Sequence, residues 1–379
     1  MRPFLTLILL LLLAFQANAS QAEQDSTLRQ GSVEKLFDFG DRVIDAISGE
    51  KWAFIPAIVY SPETSLGIGA RAIRVFRHKD TEDPTLRPST LPITFLYTLR
   101  HQTIFTSELD LWANGNREYF NARIELSNFP FQYFGVGNTQ QQESGEFYTT
   151  RYGLVQLHYE RLLLKGLYLG PKYEFRVDDI YKRVPGGILE TSQVPGFDGQ
   201  RISGFGLMLN HDTRDNIFQP KKGWYNRVSW MSYPRFLGSN FVFDQTVFDL
   251  RKYIHTGANR VLAIQSWWSF TSGTVPFQDL SLIGGSDRMR GYFEGRYRDL
   301  HAMVQQVEYR TPIYRNLGMV FYAHMGQVAP KVSDFSFSRL HRGIGLGFRY
   351  RLNKEGLNIR LDIAYGDQRA FYFGLNEVI

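Results

Sequence analysis

At positions 357–366 the sequence reads LNIRLDIAYG. Leu357, Ile359, Leu361, Ile363 and Tyr365 alternate with Asn358, Arg360, Asp362, Ala364 and Gly366. Successive side chains of a strand point to opposite faces, so this alternation makes one apolar face and one polar face. The neighbouring stretch at 343–352 repeats the plan, with Ile344, Leu346, Phe348, Tyr350 and Leu352 against Gly343, Gly345, Gly347, Arg349 and Arg351. Further back, Glu108 and Asp110 oppose Leu109 and Leu111, Arg123 and Glu125 oppose Ile124 and Leu126, and Phe205, Leu207 and Leu209 oppose Gly204, Gly206 and Asn210. The polar faces carry charge and glycine, unlike the mild Ser/Thr surface of a soluble sandwich.

About sixteen such segments run from Ala53 to Asn376, and many reach the roughly 9–11 residues that a tilted strand needs to cross a bilayer. Only helices and closed barrels satisfy every backbone polar group in lipid, so an even set of amphipathic strands implies a closed sheet. Aromatic residues make up 15% of the chain, with 21 Tyr and 30 Phe, enough for two interfacial girdles. The expected fold is all-β: a transmembrane antiparallel β-barrel of about sixteen strands. The rival is a soluble, secreted all-β protein.

The N-terminus supports export. Arg2 precedes an apolar run from Phe4 to Phe15, and Ala17 and Ala19 flank Asn18 before Ser20. Residues 1–19 read as a secretory signal peptide, the run being short for a spanning helix. Residues 20–51 read as a periplasmic segment in which Val33, Leu36, Phe37, Val43, Ile44 and Ile47 suggest a short amphipathic helix. Residues 52–379 form the barrel. The formal charge of +6 is a mild excess, not a nucleic-acid footprint. The absence of cysteine excludes disulfides and thiol chemistry.

Two charged loops stand out. With both termini periplasmic, HDTRDNIFQPKKG joins the eighth and ninth strands on the periplasmic side. Asp212, Arg214, Asp215, Asn216, Pro220 and Gly223 give it capping side chains, a fixed φ and a permissive φ. Between the eleventh and twelfth barrel strands lies an extracellular loop of about thirty residues, a length usually reserved for function. It contains LIGGSDRMRGYFEGRYRD, where Met289, Tyr292, Phe293 and Tyr297 sit among the charges. Folding this loop into the lumen would bury those side chains.

MRGYFEGRYRD resembles the VRGF/Y motif in the sixth extracellular loop of the BamA/TamA-type surface-antigen superfamily. HDTRDNIFQPKKG resembles that family's charged turn, and GIGLGFRYRLNKEGLNIRLDIAYG its closing strands. The resemblance implies that Met289, Arg290, Gly291 and Tyr292 form the inserted motif, with Arg290 reaching the inner wall. It implies acidic partners on the twelfth and thirteenth strands. Glu308 matches the first, while His324 stands where the second, an aspartate, belongs. On that basis Arg290 pairs with Glu308, His324 adds a hydrogen bond when neutral and repels Arg290 when charged, and exchanging the charges of Arg290 and Glu308 restores the pair. The family's POTRA domains have no room before Ala53, which implies a barrel-only member. Phe371 and Phe373 give the last strand the aromatic alternation of a barrel-assembly signal, although it finishes in Ile379.

Nothing points to an enzyme, cofactor or metal. The histidines lack HExxH-like spacing, no GxSxG occurs, and GIGLGF lies within a strand rather than opening a helix. The expected function is insertion or translocation of proteins, or of lipid, at the bacterial outer membrane. The expected partners are membrane lipid, barrel clients and a separate periplasmic protein. The alternative is a passive pore or small-molecule transporter gated by the inserted loop.

Overall fold

The computed structural model describes residues 52–77, 86–139, 144–351, 358–375 and 377–379. The signal peptide and the helix expected between Val33 and Ile47 lie outside the described residues. In chain order the strands are β1 (Ala53–Ser61), β2 (Ser65–Phe76), β3 (Ser89–Thr98), β4 (Thr103–Ala113), β5 (Glu118–Tyr133), β6 (Glu146–Leu164), β7 (Leu167–Lys182), β8 (Gly199–Asp212) and β9 (Gly223–Tyr233). They continue with β10 (Phe243–Gly257), β11 (Arg260–Gly273), β12 (Ser281–Ile283), β13 (Tyr297–Asp299), β14 (His301–Tyr314), β15 (Leu317–Ala329), β16 (His341–Arg351), β17 (Asn358–Tyr365) and β18 (Arg369–Leu375). All but β12 and β13 form one closed antiparallel barrel of sixteen strands. Each pairs with its sequence neighbour, β11 meets β14 across the intervening loop, and β18 returns to β1.

The pleat turns the alternating pattern inside out. On β17, Asn358, Arg360, Asp362 and Ala364 are buried on the lumenal side, while Ile363 and Tyr365 are exposed on the outer wall. On β16, Gly343, Gly347 and Arg349 are buried and Ile344 is exposed. An apolar exterior and a charged interior are what lipid outside and a packed, hydrated lumen inside require. Arg290 and Arg298 are the largest fully buried side chains among the described residues, and both come from the segment between β11 and β14.

That segment fills part of the lumen. Val275, Phe277 and Leu280 pack with Tyr133, Tyr148, Ile202, Tyr233 and Phe243 of the wall, and with Leu189 from the short helix α1 (Ile188–Thr191). Ile283, Met289, Tyr292 and Tyr297 pack against Trp267, Ala302, Val304 and Val328. Met289 carries φ 61°, a left-handed conformation costing about 1–2 kcal/mol. Complete burial of its side chain contributes about 1.5–3 kcal/mol, so packing outweighs the strain.

Closure is uneven. β1 runs in register with β2 over its whole length, from Ala53 opposite Ile73 to Ser61 opposite Ser65. With β18 it shares, among the described residues, the single register pair Tyr60 and Phe373. Ladder hydrogen bonds hold a barrel shut, so this seam is the weakest of the closures.

The inside-out pleat has a measurable consequence. Ile363→Arg places charge on the lipid face and is expected to cost about 2–4 kcal/mol, whereas Gln245→Lys on the lumenal wall is expected to stay within about 0.5 kcal/mol. Denaturant titration in lipid vesicles measures both; equal costs would contradict the assignment of faces.

Candidate functional site

The loop between β11 and β14 is a short hairpin whose stem is built from β12 and β13, with Ser281 opposite Asp299 and Ile283 opposite Tyr297. Its tip delivers Arg290, which is fully buried. The guanidinium Nη2 lies 2.5 Å from Glu308 Oε1 on β14, and Nη1 lies 2.8 Å from Asp362 Oδ2 on β17. The same group stacks 3.5 Å from the centre of the Tyr322 ring on β15. One cation is thus held from three wall strands.

The carboxylates are themselves neutralised from behind. Arg310 approaches Glu308 Oε2 at 3.2 Å, and Arg349 approaches Asp362 Oδ1 at 2.6 Å and Glu377 at 2.9 Å. Arg360 lies 3.9 Å from Asp362 Oδ2 and 3.4 Å from Asp287, so four arginines face four carboxylates, which makes burial tolerable where a lone charge would have to neutralise or expel itself. The glycines of β16 make room for the network. An added Cβ would fall 2.2 Å from His324 Nε2 at Gly343, 2.3 Å from the Tyr322 hydroxyl at Gly345 and 2.0 Å from Asp362 Oδ1 at Gly347. Here glycine supplies space for side chains from adjoining strands.

The loop tip also touches both sides of the seam. The Gly291 N–H donates to the Tyr372 hydroxyl on β18 at 2.9 Å, and the Gln368 N–H donates to the Gly291 carbonyl at 3.1 Å. Across the seam, the Glu294 N–H donates to Glu63 Oε1 at 2.8 Å, in the turn between β1 and β2. Burial raises the Glu63 carboxyl above its ordinary range, and the Glu294 N–H counteracts part of that rise. Gly291 has φ 94°, and a Cβ there would lie 2.8 Å from the Gly366 backbone nitrogen, so this close approach requires glycine. Tyr292 donates its hydroxyl to the Arg342 carbonyl at 2.7 Å, and Tyr297 stacks on His341.

Two sequence expectations change. Among the described residues, the hydrogen bonds of the Arg290 guanidinium go to Glu308 and Asp362, not to His324. His324 lies opposite Gln306 and Gly343, one lumenal row away from Glu308, and its ring stacks on Tyr322. Protonating His324 therefore breaks no hydrogen bond to the Arg290 guanidinium, and what stands of the expectation is the repulsion between the two charges. Exchanging the charges of Arg290 and Glu308 also loses its rationale, because a glutamate at 290 would face Asp362. Asp362, on the polar face of β17, lies outside the set of partners that the resemblance implies, as do Arg310, Arg349 and Glu377, which back the clamp.

The other expected positions fall as follows. In the β8–β9 turn, Asp212 accepts from the Arg214 backbone and guanidinium at 2.9–3.1 Å and from Arg87 at 2.7 Å. Asn216 accepts from the Phe218 and Gln219 N–H groups, and Asp215 from those of Lys221 and Lys222. Pro220 is buried, and Gly223 adopts φ 112° beside the Thr213 carbonyl. These residues build a self-capped turn. On β18, Phe371 faces outward and Phe373 sits at the seam.

A lumenal chamber of about 670 Å³ remains between the loop and the wall of β7–β11, lined in part by Lys172, Arg227, Asp249, Asp279, Arg288 and Glu294. Burial pushes the Asp279 carboxyl in the loop up to about 7, against the pull of Arg176 and with Glu174 and Asp178 adding repulsion. Among the described residues, no group of three His, Asp or Glu is placed to hold a metal.

Comparison with known proteins follows the same outline. A family model described as the Omp85 superfamily domain matches residues 94–378. No curated protein matches the sequence. Among solved structures, BamA from Haemophilus ducreyi lacking POTRA domains 1–3 superposes with a TM-score of 0.57 at 12% identity, over 87% of this chain and 70% of that one. CdiB from Acinetobacter baumannii gives 0.56 at 12% identity, over 86% and 60%. CdiB from Escherichia coli gives 0.57 at 8% identity, over 87% and 63%. The chain thus spans less than two thirds of either CdiB structure.

The doubled clamp makes the substitutions unequal. Arg290→Ala leaves two carboxylates facing each other and is expected to cost about 3–5 kcal/mol, whereas Glu308→Gln or Asp362→Asn leaves the arginine one carboxylate and costs less. Thermal unfolding followed by heat-modifiable electrophoresis should give that order, and the Arg290→Glu/Glu308→Arg exchange should remain defective. Full rescue by the exchange would show that Asp362 contributes nothing.

Proposed function

Because the chain belongs to the Omp85 superfamily and forms a β-barrel of the outer membrane, we propose that it assists insertion or translocation of proteins, or of lipid, by parting its β1–β18 seam. The observation that carries this reading is the seam itself. Among the described residues one register pair closes it, and the loop tip reaches Tyr372 on one side and Glu63 on the other. Parting β1 from β18 exposes unpaired N–H and C=O groups, which an incoming strand can satisfy by edge pairing. Few ladder bonds need be broken first. The loop, anchored away from the seam through Arg290, Glu308 and Asp362, holds the resting barrel closed and lets it reclose on one register.

Client and periplasmic partner are supplied from outside the barrel. The charged chamber favours a second reading, a pore or small-molecule transporter gated by the same loop, since its lining is suited to hydrated solutes.

One experiment separates the two. The chain contains no cysteine, so Tyr60→Cys and Phe373→Cys can be joined by a short cleavable thiol linker without competing sites. Reconstituted in liposomes, the unlinked protein should accelerate folding of a urea-unfolded barrel, the linked form should lose most of that effect, and cleavage of the linker should restore it. Unchanged assistance in the linked form would overturn seam opening. Large, steady planar-bilayer conductance without any folding assistance would establish the pore instead.

A further inference from the structure

The outer wall beside the seam carries a recess of about 700 Å³. Its construction follows from the register. One outward row runs Val307, Ala323, Ile344, Tyr365 and Arg369 across β14 to β18, and the next runs Tyr309, Phe321, Leu346, Ile363 and Phe371. Between them the chain turns Tyr322, Gly345 and Ala364 towards the lumen, so their backbone forms the floor. Ala323 is the small residue of its outward series, with Phe321 and Met325 two positions to either side. The walls of the hollow are the exposed side chains of Ile344, Phe321, Ile363, Tyr365 and Phe371.

Two arginines stand at one end of this hollow. Arg369 opens β18 and closes the upper row, opposite Tyr365. Arg342 lies opposite Met325, one outward row higher on β16. Both are exposed, and among the described residues neither side chain has a hydrogen-bond or ion-pair partner. The nearby acid in sequence, Asp367, is engaged by Arg296 and by the Tyr297 hydroxyl. The arginines lie at the β17–β18 hairpin end of the barrel, the end away from its termini and therefore the extracellular one.

We propose that this recess is a binding site for a phosphorylated, acylated lipid of the extracellular leaflet, whose acyl chain lies in the hollow and whose headgroup phosphate bridges Arg342 and Arg369. An apolar recess that opens to the bilayer is occupied by hydrocarbon whatever else happens. The unpaired guanidinium pair at its rim selects, among lipids, those presenting an anionic phosphate at headgroup level. The site is on the opposite side of the wall from the Arg290 clamp, adjoins the strand that forms the seam, and stands whether the barrel inserts proteins or conducts solutes. Its occupant would brace β16–β18 as one unit beside the weak closure.

The test is native mass spectrometry of the full chain released from neutral detergent with three probes: a diphosphorylated hexaacyl disaccharide lipid, the same lipid dephosphorylated, and dioleoylphosphatidylethanolamine. The phosphorylated probe should be retained in defined stoichiometry and the dephosphorylated one largely lost. Arg342→Gln combined with Arg369→Gln should weaken retention about thirtyfold. Ala323→Trp, which fills the hollow from the lipid side, should weaken it about tenfold, while Leu207→Trp on the far outer wall should have no effect. Ala323→Leu is a milder variant for use if the tryptophan chain fails to fold by heat-modifiable electrophoresis. Equal retention of the dephosphorylated lipid, or equal loss from Leu207→Trp, would reduce the recess to ordinary annular lipid and overturn the assignment. A photocrosslinker at position 323 that captures an unfolded barrel client and no lipid would overturn it in favour of a protein-docking groove.

Discussion

A guanidinium removed from water must find charge to replace its hydration, and in this barrel Arg290 finds it on two strands at once. Glu308 on β14 and Asp362 on β17 take one Nη each, and Tyr322 offers its ring face between them. This fixes where the lumenal loop can sit. A single carboxylate would leave the loop a pivot; two carboxylates on strands separated by β15 and β16 define a position. Isolated from its partners the buried arginine would be strongly unfavourable, so the clamp specifies one arrangement of the loop more than it adds net stability.

The loop's place then governs the seam. β1 and β18 share little backbone pairing, yet a bare sheet edge in lipid is costly. The hydrogen bonds from Gly291 to Tyr372 and from Glu294 to Glu63 join the two edges from within, through the polar interior, where they need not compete with lipid. Closure is therefore divided between a short outer ladder and an inner strap. Such a division allows a barrel to be shut at rest without a continuous ladder that would have to be unzipped.

The strand count and face plan were legible because both rest on local sequence: period-two alternation survives in any register, and it places Asp362 and Arg349 on the polar side whatever their neighbours. The motif around Arg290 was legible through resemblance. The second partner was not, because a strand's alternation gives the side of the wall but not the height at which it meets the next strand. That height is set by the register of β15, β16 and β17, where Gly345 and Gly347 carry no side chain and leave a gap that Asp362 can cross. Resemblance pointed instead to the strand after β14, where His324 sits one row off and stacks on Tyr322. The thinness of the β1–β18 ladder was likewise invisible, since pairing between the first and last strands leaves no mark on either sequence.

The central claim is that Arg290, which touches neither edge strand of the seam through its side chain, keeps that seam shut through the loop. Hydrogen–deuterium exchange of the barrel in lipid nanodiscs, compared between the unaltered chain and Arg290→Ala, tests it most directly. The account predicts faster exchange of amides in β1 and β18 of the variant, with β5 to β9 unchanged. Equal protection of β1 and β18 in the two proteins, with only the loop itself loosened, would contradict it.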